Sequence, residues 1–179
     1  MISNGRFELG IGYGWCVEEM RNHGLDYQKR RAILREHMLL MRALWSEDEA
    51  SFHGQYVHLE KSWAWPKPIQ KPFPPIVMGG AAGPATAAHV AEFCSGWMPL
   101  GGAYDVASGL HEIETACTKI GRDPASVSFG MFYSRPVPAE ALKKHGGMGA
   151  TRGILPLPLP SADRETVLPI LDEYARLQI

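Results

Sequence analysis

The sequence has no apolar run long enough to cross a bilayer and no marked excess of one charge. A membrane-spanning helix needs about 20 consecutive apolar residues, and no stretch of this chain approaches that length. The first residues show no basic and apolar leader pattern. The 18 basic and 19 acidic residues nearly balance, which argues against nucleic acid or an anionic membrane as a partner. We therefore expect a soluble, cytoplasmic protein.

Cysteines and histidines are present, but not in the patterns that bind metals. The three cysteines, Cys16, Cys94 and Cys117, are odd in number and far apart, so we expect reduced thiols. The histidines have no carboxylate or cysteine at ligand spacing, so surface or capping roles are expected rather than a metal site or a catalytic triad. The histidines considered are His53, His58, His89 and His111.

Short apolar strands alternate with amphipathic helices along the chain. The patterns predict strands over residues 6–11, 76–78, 94–98, 126–133 and 152–157. They predict helices over residues 26–45, 84–93, 105–120, 138–145 and 161–177. Strict alternation of this kind predicts an α/β fold with a parallel sheet of about five strands and helices outside it.

One segment departs from the alternation. Residues 51–59 predict a small hairpin that turns at His53-Gly54. The proline-rich stretch 63–75 that follows favours an extended connector. We interpret residues 50–75 as a hairpin and proline-rich insertion within a single domain that spans residues 1–179.

Two glycine-rich stretches follow predicted strands. Gly12-Tyr-Gly-Trp15 comes after the first strand, and Gly79-Gly-Ala-Ala-Gly83 comes after the strand at 76–78, with Pro84 suited to begin a helix. Without Cβ atoms the backbone N–H groups can approach an anion closely, and a helix N-terminus adds about half a positive charge. These stretches predict a phosphate-binding site at the carboxyl ends of parallel strands. The candidate binding residues are Gly12, Tyr13, Gly14, Trp15, Gly79, Gly80, Ala81, Ala82 and Gly83.

Structural interpretations compete with this site. The turn at 79–83 also fits a tight β-to-α connection without a ligand, and Trp15 also fits a side chain that caps the core. Trp97, at the end of the third strand, is expected to pack rather than bind. Arg152 is either a surface arginine or a contact for an anionic group. No pair of residues is identified as a general acid and base, so the catalytic residues are unknown.

The ordered motifs resemble the bacterial-luciferase-like superfamily of flavin- and deazaflavin-dependent oxidoreductases. The resemblance covers residues 3 to about 99 and continues as a pattern of strands and helices to the end. The matching motifs are Ser3-Asn-Gly-Arg-Phe-Glu-Leu-Gly-Ile-Gly-Tyr-Gly-Trp15, Leu44-Trp45, Phe52-x-Gly54-x-Tyr56, Pro66-Lys-Pro68-x-Gln70-x-Pro72, Pro74-Pro-Ile-Val-Met-Gly-Gly80 and Gly96-Trp97, together with Glu19, Gly24, Arg31 and Glu36.

The resemblance implies a (β/α)8 barrel with FMN or coenzyme F420 at its carboxyl-terminal mouth, a small organic substrate and no metal. A complete barrel takes about 250 residues, so five strands imply a partial barrel equivalent to strands 4 to 8.

Two functions stay open at this point. One is a luciferase-like oxidoreductase or monooxygenase, and the other is a non-catalytic remnant or subunit that acts as a binding or assembly partner.

A sheet of five strands has two open edges, near residues 6 and 152. Unpaired backbone groups and an exposed apolar face invite pairing with another chain. We expect that a second polypeptide supplies the missing strands or that copies associate as a homo-oligomer; the remaining possibility is an open layer of marginal stability.

Overall fold

The computed structural model describes residues 3–102, 105–157 and 163–177. The strands are β1 (Leu9–Ile11), β2 (Ala50–His53), β3 (His58–Ser62), β4 (Ile76–Gly79), β5 (Gly96–Met98), β6 (Ser128–Phe132) and β7 (Arg152–Ile154). The helices are α1 (Val17–Asn22), α2 (Arg30–Ser46), α3 (Pro84–Phe93), α4 (Val106–Lys119), α5 (Ala139–Gly147) and α6 (Arg164–Ala175).

Five of the strands form one sheet in the order β1–β4–β5–β6–β7, and every neighbouring pair is parallel. The predicted parallel α/β sheet is therefore confirmed. The first strand is shorter than predicted, because its pairing with β4 begins only at Leu9 and Ile76. Pro74 and Pro75 precede Ile76 and have no N–H to donate, so residues 6–8 have no ladder partner there.

The long amphipathic helix is confirmed with small changes at its ends. A 3-10 turn over Tyr27–Lys29 precedes α2, which runs to Ser46. Met38 is buried, and Leu34, Met41 and Trp45, which follow the same helical spacing, pack against the core. The sequence did not predict α1, which has six residues and buries none of them, so it has no amphipathic pattern to detect.

The hairpin is confirmed as the antiparallel pair β2–β3, and the Glu36 carboxylate on α2 holds its turn. Glu36 accepts the backbone N–H groups of Gln55, Tyr56 and Val57 at 2.9, 2.7 and 2.9 Å. Desolvation raises the pKa of Glu36, but these three hydrogen bonds outweigh it and lower the pKa. Gly54 is needed because a Cβ there would collide with the carboxylate.

The connector 63–75 contains no helix or strand, as predicted. It closes the end of α2, because Lys67 Nζ donates to the Leu44 carbonyl at 2.8 Å. A cation near the carboxyl end of a helix interacts favourably with the helix dipole.

The last helix begins at Arg164, where Asp163 accepts the Thr166 N–H at 2.8 Å. Residues 161 and 162 of the predicted helix lie outside the described residues. Across the parts of the chain that the structure describes, no helix combines the length and the apolar character that a bilayer crossing requires.

Candidate functional site

The two faces of the parallel sheet have different environments. Side chains on the outer face, among them Ile76, Met78 and Trp97, are almost fully buried in the main apolar core. Because side chains alternate along a strand, Val77 and Met98 point to the opposite face. That opposite face is the one on which a ligand has room to lie.

A cavity of about 440 Å³ lies on this opposite face near the carboxyl ends of the strands. All of its lining residues are apolar, and Phe132 and Ile154 keep 43 and 42% of their surface exposed. The cavity can therefore accept a flat apolar group. Its lining residues are Gly10, Ile11, Val77, Gly79, Gly80, Met98, Leu100, Phe132 and Ile154.

The sheet is curved, and this face is its concave side. Arg152 on β7 forms a two-pronged ion pair with Glu8, which immediately precedes β1. In a flat sheet the two edge strands would lie about 19 Å apart, which is beyond the reach of these side chains. The ion pair thus shows the curvature expected of part of a barrel. In this structure the Arg152 guanidinium therefore pairs with the Glu8 carboxylate and not with a bound anion.

The turn after β4 has a conformation that requires glycine. Gly80 has φ +95°, a region that side chains rarely adopt. The Trp97 indole N–H donates to the Gly80 carbonyl at 2.8 Å. The buried tryptophan thus holds the turn against the core. Packing is confirmed as the role of Trp97, and this hydrogen bond adds a second role that its sequence position did not indicate.

Helix α3 begins directly after this turn without a side-chain cap. Gly83 is the N-cap residue and Pro84 occupies the first helical position. The backbone N–H groups of the first turn of a helix have no partner within the helix, and here they belong to Ala85 and Thr86. Ala85 is exposed, whereas Thr86 is 2% exposed, so the Ala85 N–H rather than that of Thr86 is open to a ligand. A Cβ added to Gly83 would meet no atom within 4 Å. The Ala82 side chain is buried, so only its backbone is available to a ligand.

The loop over residues 12–15 lies beside that turn, because Ile11 and Met78 are register partners at the ends of β1 and β4. Tyr13 is half-buried, and its hydroxyl lies 2.8 Å from His89 Nδ1 on α3. Trp15 is 87% exposed, so the interpretation of Trp15 as a cap on the core is wrong. Gly14 has φ +77°, which explains why glycine stands at this position.

Charged groups around α3 set its electrostatics. The Arg31 guanidinium carbon lies 5.3 Å from the centre of the Tyr13 ring. Arg35 Nε donates to Glu92 at 2.7 Å and ties α2 to α3. Burial lowers the pKa of His89, although Glu92 opposes that effect. His89 was expected at the surface or in a capping role, and it instead lies in a half-buried contact with Tyr13.

A family model described as luciferase-like monooxygenase matches residues 1–168. The chain belongs to the luciferase-like monooxygenase family. An uncharacterized protein of Mycobacterium tuberculosis is 34% identical over 164 residues, which are 90% of this chain and 56% of that protein. The predicted family resemblance is therefore confirmed.

Relatives of this luciferase-like chain with named activities match shorter segments. The F420-dependent glucose-6-phosphate dehydrogenase of Amycolatopsis mediterranei is 32% identical over 105 residues, 57% of this chain and 31% of the enzyme. The FMNH2-dependent dimethylsulfone monooxygenase of Pseudomonas putida is 30% identical over 99 residues, 54% of this chain and 27% of that enzyme.

The fold matches solved structures as well. Monooxygenase RslO1 from Streptomyces bottropensis superimposes with a TM-score of 0.65 and 23% identity, over 82% of this chain and 46% of that one. A partial barrel with a parallel five-stranded sheet is thus confirmed as the fold. The luciferase-like chain spans about half the length of the M. tuberculosis relative and of the RslO1 chain.

Proposed function

We propose that this chain binds the phosphate-bearing side chain of FMN or coenzyme F420 as part of an oxidoreductase or monooxygenase that acts on a small organic substrate. The single observation that carries the proposal is that two glycine-rich loops, 12–15 and 79–83, lie side by side next to the uncapped start of α3. Backbone N–H groups at a helix N-terminus favour phosphate.

The donor set and the cavity fit such a ligand. Ala85 is exposed in the uncapped first turn of α3, so its N–H suits a phosphate, and the apolar cavity of about 440 Å³ beside Gly80 suits a ring system. When bound, a flavin or deazaflavin supplies the redox chemistry. The residues of this chain would hold its phosphate and exclude water from one face of its ring. Relatives named for coenzyme F420 and for FMNH2 both support a cofactor of this class.

We assign no catalytic residue. Glu8 and Arg152 line a smaller cavity on the concave face, but their side chains are paired with each other, so we give neither a catalytic role. This observation also supports the second candidate function, a subunit that binds the cofactor without turning a substrate over.

The first prediction concerns ligand selectivity. We expect the purified chain to bind FMN at least tenfold more tightly than riboflavin, because the two ligands differ only in the phosphate and tenfold corresponds to about 1.4 kcal/mol. Quenching of flavin fluorescence measures both dissociation constants, and coenzyme F420 is titrated in parallel. Equal affinity for FMN and riboflavin would contradict a phosphate site. FMN binding without oxidoreductase activity would favour the subunit function.

The second prediction concerns association. We propose that the concave face and the edge strands β1 and β7 are covered by another chain, either a second copy or a chain that supplies strands. Phe132 and Ile154 are large apolar side chains that stay over 40% exposed, and open strand edges promote pairing. We expect sedimentation velocity at micromolar concentration to show an oligomer of this chain. A well-folded monomer under those conditions would exclude self-association.

A further inference from the structure

We propose that Tyr13 and His89 position the phosphate site, with His89 as a positioning residue that fixes the 12–15 loop against α3. The Tyr13 hydroxyl lies 2.8 Å from His89 Nδ1, across 76 residues of sequence, and the two rings are 5.8 Å apart. This inference rests on the proposed function, since the site it positions is the phosphate site. It adds two side chains and a physical link between the 12–15 loop and α3.

The protonation states of both groups suit this hydrogen bond. Burial lowers the pKa of His89, with Arg35 and Arg31 acting in the same direction and Glu92 opposing them. Burial also raises the pKa of the Tyr13 phenol, with Thr86 and Arg31 opposing and Cys94 reinforcing. At neutral pH the phenol O–H therefore donates to Nδ1 of a neutral imidazole, whose own proton lies on Nε2.

The bond connects the 12–15 loop, whose Tyr13 ring also packs against the core and near Arg31, to a helix that is firmly held. Tyr13 supplies the side-chain hydrogen bonding that residues 12–15 make within the described part of the chain, while Trp15 is 87% exposed. His89, by contrast, packs at 5.4 Å against the ring of Phe93, which is buried. The rigid helix thus determines where the loop lies.

The contact lies close to the proposed donors. Thr86 is in the first turn of α3, and His89 follows it by one turn. Tyr13 reaches this turn from the end of β1, the strand next to β4. Anchoring Tyr13 therefore holds the 12–15 loop beside the start of α3, so that in the proposed site its N–H groups serve the same anion as the start of that helix.

A second tyrosine–histidine pair provides a matched control. The Tyr133 hydroxyl lies 2.7 Å from His145 Nδ1, and the two rings are 5.9 Å apart. Tyr133 also follows the carboxyl end of a strand, β6, but that strand lies two positions away from β4 in the sheet. Loss of this pair removes the same kind of bond without touching either glycine-rich loop.

The test measures the dissociation constants of FMN and riboflavin for Tyr13→Phe, His89→Leu, His89→Asn and Tyr133→Phe. We expect Tyr13→Phe and His89→Leu to weaken FMN binding about five- to tenfold with riboflavin unchanged, the effect of one lost hydrogen bond. His89→Asn keeps an acceptor near the Nδ1 position and should restore most of the FMN affinity. Tyr133→Phe should change neither constant.

A measurement without ligand separates this inference from the proposed function. NMR order parameters of the Gly14 and Trp15 amides should fall in Tyr13→Phe and His89→Leu, because the loop gains motion, and should stay unchanged in Tyr133→Phe. Unaltered order parameters, unaltered FMN affinity, or an equal loss for FMN and riboflavin would each overturn the positioning role. Wild-type protein that binds FMN no better than riboflavin, with order parameters still lowered in the variants, would reject the phosphate site while retaining the link between loop and helix.

Discussion

Replacing Trp97 with alanine is expected to lower the free energy of unfolding by about 3–5 kcal/mol, the usual cost of truncating a buried tryptophan. Trp97 is 1% exposed and stacks on Phe129 with ring centres 5.6 Å apart. Gly109 on α4 lies against the indole so closely that a Cβ there would come within 2.5 Å of the ring. The cavity left by the substitution is thus enclosed by sheet and helix, which limits its collapse.

The loss is large relative to the total stability of a domain, which is about 5–15 kcal/mol. Urea denaturation followed by far-UV circular dichroism, at one fixed protein concentration, measures the change. Trp97→Phe is the matched variant, because it retains an aromatic ring on Phe129 but removes the N–H that donates to the Gly80 carbonyl. We expect that variant to lose about 1–2 kcal/mol and to weaken FMN binding more than riboflavin binding. A Trp97→Ala protein with wild-type stability would show that the indole is not a core element.

Local sequence patterns predicted the sheet and its helices because both depend on periods of a few residues. On α2, Met38 is 4% exposed, and Leu34, Met41 and Trp45 pack around it, as helical spacing requires. The glycine at position 121 that ends α4 has φ +73°, which is the usual conformation after a helix. These features are set by near neighbours in the chain.

Features that join distant parts of the chain were not predictable in this way. His89 and Tyr13 are 76 residues apart, and Arg152 and Glu8 are 144 apart. No spacing rule links such pairs, and each pair forms only once the curved sheet has brought its strands together. The sequence position of Trp15 also allowed either a binding role or a cap on the core. Its high exposure in the folded chain excludes the cap. The glycine-rich loops were predictable because the glycines themselves form a recognisable sequence pattern. The side chains that support these loops, such as His89 and Trp97, belong to no such pattern.

Replacing Gly83 with aspartate should strengthen the helix and abolish its anion site, two effects of opposite sign. Gly83 has φ −86° and ψ 179°, a conformation that suits an aspartate N-cap. Its side chain would have free space, since no atom lies within 4 Å of an added Cβ. The carboxylate would accept the N–H groups of the first turn and stabilise the protein by a few tenths of a kcal/mol, roughly the difference between aspartate and glycine caps.

The same carboxylate would take the donors that the phosphate needs and would repel its charge. We expect FMN affinity to fall by about 100-fold, or about 2.7 kcal/mol, while riboflavin affinity changes little. Gly83→Asn caps the helix without a charge, so its FMN affinity should lie between those of wild type and Gly83→Asp. Thermal denaturation and flavin titration of the same preparations test both effects together. A raised melting temperature would show that Gly83→Asp is correctly folded, so a loss of FMN binding in that protein would locate the phosphate at this turn. Unchanged FMN binding would place the phosphate elsewhere.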